Sequence, residues 1–187
     1  HGIPGALVSI ICSNALTKSV QEDELKSPSL ILDNTRKIVE DKFSRSHENI
    51  KDGMDVSLCC LDVKSKIITW SGAMNPLWIV RKSSDSIEVL KPDRQPIGMI
   101  ENPKLFTEQK FKVSVGDSLY LFSDGFIDQF GGKKGKKYMK SRLKKFIISI
   151  QNQEMQSQLK SLEKEFKNWK GDLDQIDDVC VMGVRIN

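Results

Sequence analysis

The sequence predicts an α+β layered fold. Two observations carry that reading: short strand-like runs separated by turn residues, and pairs of helical segments bracketing those runs. A length of 187 residues, 39% apolar and 29% charged, supports a single domain over residues 1–187 with a sizeable core. No stretch approaches the roughly 18 apolar residues of a membrane span, and no internal repeat or low-complexity segment interrupts the pattern. No secretory signal opens the chain, although an upstream part is free to hold one.

Taken in order, the first helix is predicted over Gly5 to Val20, with Val8, Ile11, Cys12, Ala15 and Leu16 sharing one face. The second runs from Pro28 to about Arg45, with Ser27 as N-cap and Pro28 at the first helical position. Strands follow. Asp55 to Val63 alternates in hydrophobicity, and Lys66 to Ser71 and Leu77 to Lys82 flank Gly72-Ala73-Met74-Asn75-Pro76 as a hairpin. Ser86 to Lys91 adds a short strand. Beyond the loop carrying Pro92, Pro96 and Gly98, Phe106 to Val113 and Asp117 to Ser123 are expected to pair across Ser114-Val115-Gly116. Two helices, Tyr138 to Ile150 and Asn152 to Trp169, precede a last strand at Val179 to Ile186.

The net charge of +4 owes much to Gly131-Gly132-Lys133-Lys134-Gly135-Lys136-Lys137. That run reads as a flexible solvated loop or as a guide for a phosphorylated partner, and the modest total charge disfavours nucleic acid. Cys12, Cys59, Cys60 and Cys180 lie in apolar runs without Cys-x-x-Cys spacing, which points to buried, reduced thiols in the cytoplasm and against zinc. Trp70 and Trp78 read as core, and Trp169 as the anchor of the last helix. His47, in the polar stretch Ser44 to Asp52, reads as solvated. Arg94 is read as one half of a loop ion pair, with a phosphate contact as the alternative. Asp55 opens a buried strand and is a candidate for a backbone hydrogen bond near a functional cluster.

Two acidic signatures carry the chemistry. Ser123-Asp124-Gly125 ends one apolar run and Asp177-Asp178 precedes another. Carboxylates bared at strand ends suit Mg²⁺ or Mn²⁺, while an Asp-Gly pair also serves as a plain turn and Asp-Asp as a solvated edge. The chain has no Gly-x-Ser-x-Gly turn and no Walker glycine pattern, and its only imidazoles are His1 and His47. His1-Gly2-Ile3-Pro4-Gly5-Ala6 opens inside a glycine-rich turn, so the native protein is expected to extend upstream.

These residues resemble the metal-dependent Ser/Thr protein phosphatases of type 2C, in the bacterial branch typified by SpoIIE and RsbU. The opening hexapeptide is similar to the tail of that branch's Asp-x-x-Gly-His-Gly-x-Pro-Gly-Ala segment, and Gly53-Met54-Asp55 to a strand start. Ser71-Gly72-Ala73-Met74-Asn75-Pro76-Leu77 and Pro96-Ile97-Gly98 resemble two further family segments. So do Gly116-Asp117 through Ser123-Asp124-Gly125-Phe126-Ile127-Asp128, and Gln175-Ile176-Asp177-Asp178-Val179. All fall in the family's order from residue 1 to 187.

The resemblance implies an α-β-β-α sandwich of two antiparallel sheets flanked by helices, here lacking its N-terminal strands as the C-terminal major part of the domain. It implies a cluster of two Mn²⁺ or Mg²⁺ ions, with Asp124 and Asp177 as ligands and Asp128 at the position of a looser third ion. Ala73 replaces an Asp of the eukaryotic branch, which puts that third ion in doubt, and other ligands are expected upstream. His1 is the candidate proton donor to the leaving alkoxide, or else it only shapes the turn. The implied reaction is hydrolysis of phosphoserine or phosphothreonine on a regulatory protein such as an anti-sigma-factor antagonist, without a covalent intermediate. The alternative is a non-catalytic pseudophosphatase that binds a phosphoprotein. An upstream sensor or receiver segment and self-association as a homodimer are also expected, with no membrane contact by this domain.

Overall fold

The computed structural model describes residues 2–44, 53–82 and 84–187. His1 and His47 lie outside the described residues. The helices are α1 (Gly2–Thr17), α2 (Pro28–Ser44), the one-turn α3 (Gly125–Asp128), α4 (Lys140–Ile150) and α5 (Met155–Lys170), and a π-helical turn, Lys18–Glu22, continues α1. The first strands are β1 (Gly53–Met54), β2 (Val56–Asp62), β3 (Ile67–Ala73), β4 (Leu77–Val80) and β5 (Ile87–Leu90). They are followed by β6 (Ile97–Gly98), β7 (Gln109–Lys112), β8 (Ser118–Phe122), β9 (Phe130–Gly131), β10 (Lys136–Lys137) and β11 (Val181–Arg185). The predicted class holds: helices combine with antiparallel sheets.

The chain divides into two compact units, one built from residues up to Pro76 with Lys91–Val113, the other from Leu77–Leu90 with Ser114–Asn187. In the first unit, β3 lies between β2 and β7 in a three-stranded antiparallel sheet, and β1 pairs with β6. Pro28 opens α2 where its missing N–H costs nothing, and Ile31, Leu32, Val39 and Phe43 bury one helical face. Leu32, Val39 and Phe43 join Val8, Cys12 and Ala15 of α1, together with Ala73, Ile97 and Phe106, in one apolar cluster. Polar groups between the two helices are satisfied internally: Ser19 Oγ donates to the Ala15 carbonyl (2.9 Å), and Thr35 Oγ1 to the Ile31 carbonyl (2.6 Å).

The second unit holds a four-stranded antiparallel sheet in the order β11-β8-β4-β5. Leu143, Ile147 and Ile150 recur along one face of α4 and are buried with Trp78, Tyr120, Phe122 and Phe126. Tyr120 carries its hydroxyl into that core by donating to Gln158 Oε1 at 2.6 Å. Trp70 and Trp78, each only 1% exposed, are core residues as expected.

The two predicted hairpins do not form. β3 already has a partner on each side, β2 and β7, and β4 has β5 and β8, so neither offers the other a free edge. The Gly72–Met74 segment instead bonds to Asp93: Met74 N donates to the Asp93 carbonyl and Asp93 N to the Gly72 carbonyl, each at 2.9 Å. Likewise β7 pairs with β3, whereas β8 lies between β4 and β11. Helix α4 starts at Lys140, because Met139 takes a φ of 74° that no helix accommodates. All four cysteines are free, but only Cys12 is buried; Cys59 is half-buried and Cys60 and Cys180 are exposed. Alternation along β2 turns each side chain to the opposite face from its neighbour, so an apolar run does not bury every thiol in it.

Candidate functional site

Strand β8 ends where the first acidic signature begins. Tyr120 and Phe122 are buried, and Asp124 follows at the exposed strand end as the residue before α3. Its antiparallel neighbour β11 starts with Val181 opposite Phe122, so register alone brings the residues before β11 alongside those after β8. Side chains then fasten the two segments together. Ser123 N donates to the Cys180 carbonyl (3.0 Å), Cys180 N donates to Ser123 Oγ (2.9 Å), and Ser123 Oγ donates to the Asp178 carbonyl (2.8 Å). One hydroxyl thus serves both strand ends.

Gly125 completes the contact. A Cβ on it would lie 2.3 Å from the Asp178 carbonyl oxygen, so only glycine admits this approach. Gln129 Nε2 holds the next stretch by donating to the Asp174 carbonyl at 2.8 Å, and its side chain is fully buried. Asp177 is half-buried. Its Oδ1 accepts the Asp178 amide (2.7 Å), while its carbonyl accepts Gln175 Nε2 (2.8 Å). The backbones bearing Asp124 and Asp177 are therefore fixed against each other by contacts that leave the Asp124 carboxylate unused among the described residues.

Asp128 stands one turn past Asp124, its amide donating to the Asp124 carbonyl at 2.9 Å. Its carboxylate pairs with Lys137 Nζ at 3.0 Å. The carboxylates of Asp124 and Asp177 are hard oxygen donors free of any lysine or arginine partner among the described residues, which fits Mg²⁺ or Mn²⁺. Among the described residues, no three or more Asp, Glu, His or Cys side chains gather as a complete metal-ligand group.

Asp55 is exposed and belongs to the first unit, as does Arg94, which is exposed and makes no ion pair among the described residues. The expected Arg94 pair does not form among the described residues; the neighbouring Asp93 carboxylate accepts the Thr107 amide (2.7 Å) and hydroxyl (3.0 Å). The basic run forms a short hairpin, β9 with β10, rather than an unstructured loop. Gly132, at φ 64°, makes its turn against the ring of Trp169, whose carbonyl accepts the Gly132 amide at 2.8 Å. Trp169 Nε1 donates to the Gln129 carbonyl at 3.0 Å, so this tryptophan ties the end of α5 to the hairpin.

Sequence reasoning missed Ser123 and Gln129. Ser123 was visible inside the Ser-Asp-Gly signature, but its role depends on a carbonyl at Asp178 that only pairing with β11 brings near. Gln129 gives no local signal.

A family model described as Stage II sporulation protein E (SpoIIE) matches residues 1–187. No curated protein matches the chain in sequence. Among solved structures, the chain is similar to the SiaA-PP2C domain of Pseudomonas aeruginosa, at 24% identity and a TM-score of 0.87 over 100% of this chain and 72% of that one. It is also similar to the PP2C phosphatase domain of Bacillus subtilis SpoIIE, solved with a fragment of its regulatory domain (18% identity, TM-score 0.77, 100% and 51% of the two chains). A third is the structure of RsbU and RsbW domains from Mycobacterium tuberculosis, at 17% identity and a TM-score of 0.72, over 99% of this chain and 49% of that one.

Proposed function

Since the chain belongs to the SpoIIE family of PP2C-type phosphatase domains, we propose that it acts in metal-dependent hydrolysis of phosphoserine or phosphothreonine on a regulatory protein. The observation that carries this reading is the Ser123 latch, which sets the Asp124 turn against Asp177-Asp178 with Gly125 in contact with the Asp178 carbonyl. Asp124 and Asp177 are the residues that would hold Mn²⁺ or Mg²⁺, and Asp128 is the candidate for a looser ion once released from Lys137. A divalent ion supplies Lewis acidity and a water activated for in-line attack at phosphorus. Ser123 and Gly125 orient the carboxylates by fixing their backbones, so that side-chain freedom alone remains to be lost on binding. His1 is the candidate to protonate the leaving alkoxide.

The substrate we infer is a phosphorylated regulatory protein of the anti-sigma-factor-antagonist kind. A further regulatory segment in the same protein is supported by the SpoIIE structure, solved with a fragment of its regulatory domain, and by the structure that holds RsbU and RsbW domains together. Action in the cytoplasm fits the four free cysteines, and no helix among the described residues is long and apolar enough to cross a membrane.

The test is Mn²⁺-dependent phosphate release by the full-length protein from p-nitrophenyl phosphate and from a phosphoserine protein. Asp124→Asn and Asp177→Asn should each lower turnover by about a hundredfold or more, whereas Asp128→Asn should cost less, its carboxylate being ion-paired. Full activity in both first variants would sink the ligand assignment. No turnover by well-folded, metal-saturated wild type would move the reading to a non-catalytic phosphoprotein binder.

A further inference from the structure

In the second unit a cavity of about 730 Å³ opens between the β9–β10 hairpin, α4 and the end of α5. Lys133, Lys134, Lys136, Lys137, Arg142 and Lys145 line it, against the single carboxylate of Glu165. That one concavity gathers more positive charge than the net +4 of the entire chain, so the remainder of the molecule carries no cationic excess. Charges of one sign around a concave wall focus the field and attract a counter-ion of opposite sign. Glu165, whose Oε1 accepts the Tyr138 hydroxyl at 2.8 Å, offsets only one of these charges. Among the described residues, Lys133, Lys134, Lys136 and Lys145 have no carboxylate partner, whereas Lys137 pairs with Asp128 and Arg142 lies 4.2 Å over the ring of Trp169.

The chemistry of the walls discriminates between polyanions. Single-stranded nucleic acid needs open aromatic faces on which bases stack. Here Tyr138 is buried, with Trp169 edge-on to it at 5.2 Å, while Arg142 and Gly132 cover Trp169. The apolar side chains lining it besides those rings are the half-buried Phe146 and Met139, the latter 56% exposed and held at a φ of 74° where glycine would sit at less cost. A cationic ring beside a flexible thioether suits an extended acidic peptide. The location also has a meaning for the proposed reaction, because Lys137 both lines the cavity and pairs with Asp128, one turn from Asp124.

We propose that this cavity docks an acidic segment of the protein substrate lying next to its phosphorylated residue. The proposal rests on the phosphoprotein-directed reading of the second unit. Its test is binding rather than turnover, measured in EDTA so that the metal centre takes no part. Fluorescence anisotropy would compare a labelled phosphoserine peptide flanked by glutamates with the same peptide flanked by glutamines, on the full-length protein. Wild type should favour the glutamate peptide by at least about tenfold, with a steep loss on adding salt. The triple substitution Lys133→Gln, Lys134→Gln and Lys136→Gln, all at exposed positions, should remove that preference without lowering the melting temperature. Equal affinity for the two peptides in wild type overturns the proposal without need of any variant, as does an undiminished preference in a folded triple variant. Tighter binding of a single-stranded RNA of equal charge, lost in that variant, would overturn it in favour of nucleic acid. Because no turnover is measured, a negative result leaves the phosphatase reading to its own assay.

Discussion

Replacing Asp117 with Asn leaves the amides of Lys82 (3.1 Å) and Ser114 (3.0 Å) and the Arg81 guanidinium (2.9 Å) facing a neutral side chain in a buried place. Burial pushes the Asp117 carboxyl upward, but those two amides and Arg81 together outweigh it and hold its pKa below the ordinary carboxylate value. A depressed folded pKa contributes stability above the unfolded value of about 3.9, lost as pH falls through the lower folded value. Asp117→Asn should therefore cost about 2–4 kcal/mol at pH 7, with the gap to wild type closing as pH falls below about 4. Urea midpoints at pH 7 and pH 3 check both statements. The same residue marks a limit of reading motifs from sequence. Asp117 and Asp124 stand in one family segment, yet Asp117 clamps a turn while Asp124 is exposed at a strand end. Spacing identifies both as motif carboxylates, and only burial separates their tasks.

At the scale of elements, the approach of the Asp124 turn to the strand entering β11 depends on one missing side chain. Gly125→Ala would set a Cβ 2.3 Å from a backbone oxygen, which cannot swing aside as a side chain could. The two segments must part. The Mn²⁺ concentration for half-maximal activity should then rise about tenfold or more, since positioning groups behind metal ligands typically act at that level. A titration of activity against Mn²⁺ reads this directly, and an unchanged curve would show that the contact does not set the site. Elements themselves were legible wherever periodicity was strong: α2, α4 and α5 lie within a few residues of their expected bounds. Pro28 opens α2 where expected, but the start of α4 was not legible, because a backbone angle such as that of Met139 leaves no trace in composition.

At the scale of the molecule, the chain leaves one unit for the other after Pro76, again after Leu90 and once more after Val113. Neither unit is a continuous stretch. A fragment of residues 114–187 would lack β4 and β5, leaving β8 paired with β11 alone. That fragment should show no cooperative thermal transition, and joining residues 77–90 to it through a flexible linker should restore one; calorimetry of the two forms decides. Strand partners were the least legible feature, because turn residues at Met74-Asn75-Pro76 and Ser114-Val115-Gly116 argue only for neighbours in sequence. The actual partner of β8 on one side is set by residues as distant as Val181. That distance is also an interval of time. At about 5–20 residues per second of synthesis, β8 emerges on the order of several seconds before β11 exists to cover its open edge. During those seconds α4 and α5 are made in turn, while a bare strand edge stands next to exposed apolar surface. The growing chain is most open to wrong pairing at the strand that will later carry Asp124.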